Sequence, residues 1–361
     1  MYSRASEKAY SLLAMIELLK EFNKIYYWPN NGNLGDLLIA EATRQFFRRH
    51  QITWEEYNPS SPPDEANIIL VYGGGGRFTS HWGGIDLHLS HLTHPRVKKG
   101  IILPHSFFEV DFFLKGLDER HVIICREQRS YDYCRSLVTK ATVMLDDDMG
   151  LQLSIRELPS LKPIPEMQDI TNKEELAQYE LLKHGWHKKV LKGVRQSTVS
   201  THVNGQRKKV AFLLRTDKEK TATLNSPLSY DISRAWDSSC RETAFNSYFI
   251  QVFAAALSFP DVVVTDRLHV AIMAHLCGKE VYLLDNDYGK LSGVYNQSLS
   301  GEKNVHLLPD SKLQDYLLEA WNKLNNPIKI IFFKVSHKIH KMRTLPRRAI
   351  NFIKRKLLST R

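Results

Sequence analysis

From Lys24 onward, short apolar runs rich in β-branched and aromatic residues alternate with stretches of helical periodicity, the pattern of parallel α/β layers. In the first half the runs predict strands at Lys24–Trp28, Ile52–Tyr57, Asn67–Tyr72, Gly100–Leu103, His121–Cys125 and Ala141–Leu145, with helices such as Asp36–Arg49 and Gln128–Leu137 between them. From about Ser154 to Arg207 the pattern loosens into a charged stretch with Pro159, Pro163 and Pro165 and one helix at Lys173–Lys183, which reads as a connection. A second α/β block follows: strand Lys209–Leu214, helix Glu242–Leu257, strand Val262–Thr265, helix Leu268–Cys277, strand Glu280–Leu284 and a closing helix Ser311–Leu324. The polar stretch between Thr216 and Cys240 has no clear periodicity and is too long for a simple turn, so a mobile or substrate-covering loop is expected there.

The fold class is therefore α/β, with two Rossmann-like domains facing a cleft. The expected division is an N-terminal domain over 1–153, a connecting region over 154–207, a C-terminal domain over 208–327 and a tail over 328–361. Such a cleft is walled by the carboxyl ends of strands and the N-termini of helices, where orphan amides and the positive end of the helix dipole favour anionic ligands.

Composition changes this picture in one place. The net charge is +11, yet from Ala320 to Arg361 there is no acidic residue and twelve Lys and Arg side chains, so the rest of the chain is close to neutral. That argues against a nucleic-acid partner. The tail mixes its charges with Ile328, Ile330, Phe332, Phe333, Ile350, Phe352 and Ile353 in two blocks separated by Pro346, the make-up of a basic amphipathic segment that docks on an anionic membrane surface. A solvated basic helix packed back on the body is the alternative. The four cysteines are scattered and form no CxxC or zinc spacing, so reduced thiols and a cytoplasmic protein, peripheral on the inner face of the plasma membrane, are expected. The N-terminal apolar runs are interrupted by Glu7, Lys8, Glu17 and Lys20 and are too short for a signal peptide or a span.

Candidate chemistry sits at strand ends. Asn33 and Asp36 follow the first strand in Gly32-Asn33-Leu34-Gly35-Asp36, where the glycines permit close backbone approach and Asp36 can cap the next helix or accept from hydroxyls. The run Gly73-Gly74-Gly75-Gly76, flanked by Arg77, has no side-chain bulk and suits a loop lying against a ligand. His105 and Ser106 end another strand and read as an acid/base or sugar-binding pair, or as loop residues without a catalytic role.

The sharper signal is Thr265-Asp266-Arg267-Leu268-His269, where a buried strand runs directly into three ionisable groups. That is costly unless a ligand or partner satisfies them, the alternative being an Asp-Arg pair capping the helix. Arg215 ends a neighbouring strand, and two guanidinium groups so placed can hold a carboxylate and a phosphate. The Asp146-Asp147-Asp148 run reads as a loop or helix cap, with a divalent-ion site as the alternative; no metal site is assigned.

The ordered set of Gly32-Asn33-Leu34-Gly35-Asp36, the glycine run after Tyr72, Arg126-Glu127 with Ser130-Tyr131, Thr265 to His269, Gly278-Lys279 and Asp285 to Lys290 resembles the polysaccharide pyruvyltransferase family from about Lys24 to Leu324. The resemblance implies a GT-B-like pair of domains, phosphoenolpyruvate as donor substrate with no cofactor, and a sugar diol of an exopolysaccharide or its lipid-linked precursor as acceptor, joined to pyruvate as a ketal. It implies donor binding by Arg267, Leu268 and His269, and its strand-end arginine resembles Arg215. On this reading Arg267 and His269 are catalytic, with His269 the general acid. Asn33, Asp36, Gly74, Gly75, His105 and Ser106 face the acceptor from the first domain. The competing readings are a nucleotide-sugar glycosyltransferase of the same architecture and a non-catalytic membrane- or nucleic-acid-binding protein.

Overall fold

The protein is described from a computed structural model, which covers residues 4–158, 170, 172–203, 205–217, 226–285, 289–308 and 315–326. The strands are β1 (Ile25–Trp28), β2 (Gly32–Asn33), β3 (Trp54–Glu56), β4 (Ile68–Tyr72), β5 (Val97–His105), β6 (His121–Cys125), β7 (Thr142–Leu145), β8 (Thr198–Val203), β9 (Gln206–Leu213), β10 (Asp237–Ser238), β11 (Val262–Thr265), β12 (Glu280–Leu284) and β13 (Val305–Leu308). Six of them form an all-parallel sheet in the order β3-β1-β4-β5-β6-β7. A second sheet runs β13-β12-β11-β9-β8, parallel except for the antiparallel edge pair β8 and β9.

The apolar runs explain the sheets. β4, β6 and β11 are buried along their whole length, as strands covered on both faces must be. In the first sheet the chain goes from β1 outward to β3 and then back past β1 to β4, so the order reverses between β1 and β4. Loops leaving the carboxyl ends of strands on either side of such a reversal diverge and open a crevice. The loops in question are Asn30–Asn33 and the glycine run at 73–76.

The helix Leu34–Arg49 joins the two sheets. Thirteen of its sixteen residues are buried. Ile39, Phe46 and Phe47 pack into the core of the first sheet, while Leu34, Leu37, Leu38 and Ala42 enter the core that includes Phe249, Phe253, Ile272 and Met273 from the second. Arg44, fully buried on this helix, donates to Glu56 at 2.9 Å and to the Cys240 carbonyl at 2.6 Å, and is also paired with Glu41. The link is completed by β10, which pairs antiparallel with β2 and so sets Asp237 against Asn33.

The stretch read as a connection carries more structure than its polarity suggests. Besides the helix Lys173–Lys183 it contains the helix Trp186–Gln196 and strand β8. Val190 and Val194 are fully buried on one face of that helix, opposite exposed Lys188, Lys189, Lys192 and Arg195, and the sparse apolar stripe hid it. Strand β8, TVSTHV, is an edge strand with polar residues on its outer face, so it lacks the continuous apolar run of its neighbours. The tail over 328–361 lies outside the described residues, as does most of the Thr216–Cys240 stretch up to Asn225. From Ser226 onward the described part of that stretch contains a short 3-10 helix at Ile232–Ala235. Among the described residues no helix is long and apolar enough to cross a membrane.

Candidate active site

A cavity of about 590 Å³ opens where the loops after β1 and β4 meet the carboxyl ends of β9 and β11. Its wall includes Asn33 and Asp36 from the first sheet's side and Arg215, Arg267, Leu268 and His269 from the second. These residues, dispersed over 236 positions between Asn33 and His269, thus share one space. Arg77, Arg126, Arg234 and Lys290 also line it, against the carboxylates Asp36, Asp217 and Asp237, so the cavity carries an excess of cationic side chains.

The local sequence explains each placement. Strand β11 ends at Thr265, whose hydroxyl donates to the Leu213 carbonyl at 2.6 Å and accepts the Arg267 amide at 3.0 Å, locking the turn into the next helix. Asp266 does not pair with Arg267. It is buried and accepts the Arg215 amide at 2.7 Å, tying the ends of β9 and β11 together.

Arg267 turns to Asp231, with Nε and Nη2 donating at 3.0 and 2.6 Å, and to Asp217 at 2.6 Å. Arg215 donates to the same Asp217 at 2.9 and 3.3 Å. The two guanidinium groups therefore converge on one carboxylate at the cavity edge. Asp231 is held in turn by the amide and hydroxyl of Thr216 at 2.8 and 3.1 Å.

On the opposite wall the Gly32 to Asp36 turn forms a reciprocal cap. The Asn33 side chain accepts the Gly35 amide at 2.8 Å, and Asp36 accepts the Asn33 amide at 2.9 Å and the Asn30 side chain at 3.0 Å. A side chain at Gly32 would run into the Asp36 carboxylate. Gly35 lies flat against His269, and a Cβ there would sit 2.6 Å from the ring Nδ1. Burial pushes the Asp36 carboxyl up, against the opposing pull of His269, the Asn33 amide and the Lys290 and Arg126 charges.

Four of the expected residues do not reach the wall. Gly74 and Gly75 are buried, and His105 and Ser106 lie behind them. His105 accepts the Arg77 amide on Nε2 at 2.8 Å and donates from Nδ1 to the Gly73 carbonyl at 3.2 Å, so it shapes the glycine run. Burial and the nearby Arg126 charge hold it neutral, well below the usual imidazole range. Ser106 accepts from Arg126 Nε at 2.8 Å and donates to Glu127 at 3.0 Å. These two therefore contact Arg77 and Arg126, which line the cavity, without lining it themselves.

Arg126 and Lys290 also line the cavity, and neither is assigned a role from the sequence. Both belong to the ordered set of motifs, and that membership was the available signal. Their side chains converge over Gly76, where a Cβ would meet Lys290 Nζ at 2.8 Å and Arg126 Nη2 at 3.2 Å. Arg126 is fully buried and donates from Nη1 to Asp148 at 2.7 Å. Asp148 in turn caps the short 3-10 helix after it by accepting the Gly150 amide at 2.7 Å. Among the described residues no group of three His, Cys, Asp or Glu side chains is placed to hold a metal ion.

Comparison with known proteins shows the family. Residues 33–288 match the family described as polysaccharide pyruvyl transferase, and the chain belongs to that family. It is similar to a Bacillus subtilis (strain 168) protein that bears the name pyruvyl transferase EpsO, with 26% identity over 324 residues, 85% of this chain and 95% of that one. It is also similar to the crystal structure of an uncharacterized protein, KP1_0663, of Klebsiella pneumoniae subsp. pneumoniae NTUH-K2044. The TM-score is 0.62 at 26% identity, over 83% of this chain and 98% of the other.

Proposed function

We propose that this protein transfers pyruvate from phosphoenolpyruvate to two hydroxyls of a surface-polysaccharide sugar or its lipid-linked precursor, forming a ketal. The observation that carries the reading is the convergence of Arg215, Arg267 and His269 on one cavity whose far wall holds Asn33 and Asp36. Phosphoenolpyruvate bears a carboxylate and a phosphate, and guanidinium groups offer both the charge and the forked donor geometry to grip them. Two facing α/β units of the GT-B kind, divided near residues 153 and 208, would present the donor from the second and the acceptor from the first. The basic segment from 328 would hold the enzyme at an anionic leaflet near its acceptor.

In the proposed reaction His269 delivers a proton to the methylene carbon of the donor, leaving an oxocarbenium-like centre at C2. A first sugar hydroxyl adds to C2 and returns its proton to the imidazole. Phosphate departs, stabilised by the arginines, and the second hydroxyl closes the ketal as its proton leaves with the phosphate. A positioned general acid contributes about 10²- to 10⁴-fold in rate, and fixed cations aimed at the departing phosphate act where water is excluded and their charge counts most. Arg267→Ala and His269→Ala test the assignment directly: each is expected to abolish pyruvyl transfer to a soluble acceptor, and normal turnover by either defeats it.

A further inference from the structure

His269 has one nitrogen that a ligand in the cavity does not reach. Nε2 is buried and makes no hydrogen bond of normal geometry, while the side chain as a whole keeps 16% of its surface exposed. The charged group facing Nε2 is Asp148, whose Oδ2 lies 3.4 Å away. Asp148 is itself fully buried and fixed on both oxygens, Oδ1 by the Gly150 amide at 2.7 Å and Oδ2 by Arg126 Nη1 at 2.7 Å. It cannot swing away without stranding a buried guanidinium.

Nδ1 stands on the other side of the ring, over Gly35, where the absence of a side chain leaves room for it. A carboxylate held against one imidazole nitrogen places the proton on that nitrogen in the neutral ring and sets which nitrogen is free to exchange a proton.

We propose that Asp148 is the positioning residue of His269: it keeps the ring proton on Nε2 and turns Nδ1 into the nitrogen that exchanges protons with substrate. This rests on the reading of His269 as the proton donor, and it assigns a role to the last residue of Asp146-Asp147-Asp148 beyond that of a helix cap. The carboxylate suits the task because it stays ionised. Burial alone would raise it, but the His269 ring and the Arg126 guanidinium outweigh burial and hold it well below the usual carboxylate range. The same carboxylate braces Arg126, so Asp148 fixes an imidazole and a guanidinium of the cavity wall at once.

The test uses the full chain with ¹⁵N-labelled histidine. The imidazole signals of His269, assigned by their loss in His269→Gln, are recorded for the free protein at a pH where the ring is neutral. The expected pattern is the Nε2–H tautomer in the wild type and a shifted tautomer ratio in Asp148→Asn. Asp148→Asn is also expected to lower kcat at least tenfold while the thermal midpoint shows the variant folded, and Asp148→Glu to recover part of the wild-type tautomer signal. A wild-type ring in the Nδ1–H tautomer, or an Asp148→Asn spectrum identical to wild type, overturns the proposal. The spectra need no substrate, so a protein that fails to bind phosphoenolpyruvate would sink the functional reading and leave this inference to be judged on its own signal. Asp148 also holds Arg126, so a change in KM counts neither way and the ring nitrogens decide.

Discussion

Arg267 and Asp217 are joined by a 2.6 Å charged hydrogen bond at the edge of the cavity, and Arg215 reaches the same carboxylate at 2.9 Å. The two guanidinium groups proposed to hold the donor are thus engaged by a side chain that a bound anion would have to displace or share. Neutralising this carboxylate by Asp217→Asn is expected to tighten phosphoenolpyruvate binding about tenfold, equivalent to about 1.4 kcal/mol. Calorimetric titration checks it, and weaker binding would mean that Asp217 orients the arginines more than it competes for them.

The contact between Gly35 and His269 predicts a loss of activity without a loss of fold. In Gly35→Ala the new methyl would sit 2.6 Å from Nδ1 and 2.9 Å from the His269 Cβ, so the imidazole must shift. Alanine is otherwise favoured over glycine in a helix by about 1 kcal/mol. The expectation is a kcat reduced on the order of 10²-fold, as for a catalytic group displaced by about 1 Å, with a thermal midpoint close to wild type. Unchanged turnover would place the reacting group elsewhere.

Arg44 predicts the converse, a loss of fold. It is fully buried among Glu41, Glu56 and the Cys240 carbonyl. Removing one partner of a buried charge network leaves the others uncompensated, so Arg44→Ala should cost about 3–5 kcal/mol. Urea denaturation measures this, and a change under about 0.5 kcal/mol would show that the network contributes nothing net.

His88 gives a pH dependence of stability. It is buried and stacked on Trp28 with ring centroids 5.0 Å apart, and burial lowers its pKa to about 4, helped by the Arg77 and His91 charges and opposed by its bond to the Gly84 carbonyl. Because the folded value lies below the unfolded value of about 6.5, the neutral ring's contribution is fully present above pH 6.5. It is lost as pH falls from there through about 4. The size is on the order of 3 kcal/mol at about 1.4 kcal/mol per unit. His88→Phe, which keeps an aromatic ring against Trp28, should flatten the thermal midpoint over that pH range relative to wild type.

How much of this was legible in the sequence depends on where each signal lay. Arg267 and His269 stood out because an uninterrupted apolar strand ran straight into charges, and the match of His121–Cys125 and Val262–Thr265 to β6 and β11 came from the same kind of run. His105 ends strand β5 and Ser106 follows it, yet both are buried, and nothing local distinguishes an inward from an outward strand end. Asp217 and Asp231 were hidden because their role exists only once β9 and β11 lie side by side. Arg126 and Asp148 are 22 residues apart on successive strand ends. Their pairing, and its contact with His269, is a property of the parallel sheet that no spacing rule encodes. Strand β8 and the helix Trp186–Gln196 were obscured by their own polarity.

Guanidinium groups of the second α/β unit are proposed to grip a small doubly anionic donor, and calorimetric titration of phosphoenolpyruvate into wild type and Arg267→Ala measures that grip. Saturable one-site binding to wild type is expected, with an affinity at least about 10²-fold weaker in the variant, the scale on which losing one half of a charged hydrogen-bonded pair acts. Equal binding by both proteins, or binding of a nucleotide sugar where phosphoenolpyruvate gives no heat, would contradict it.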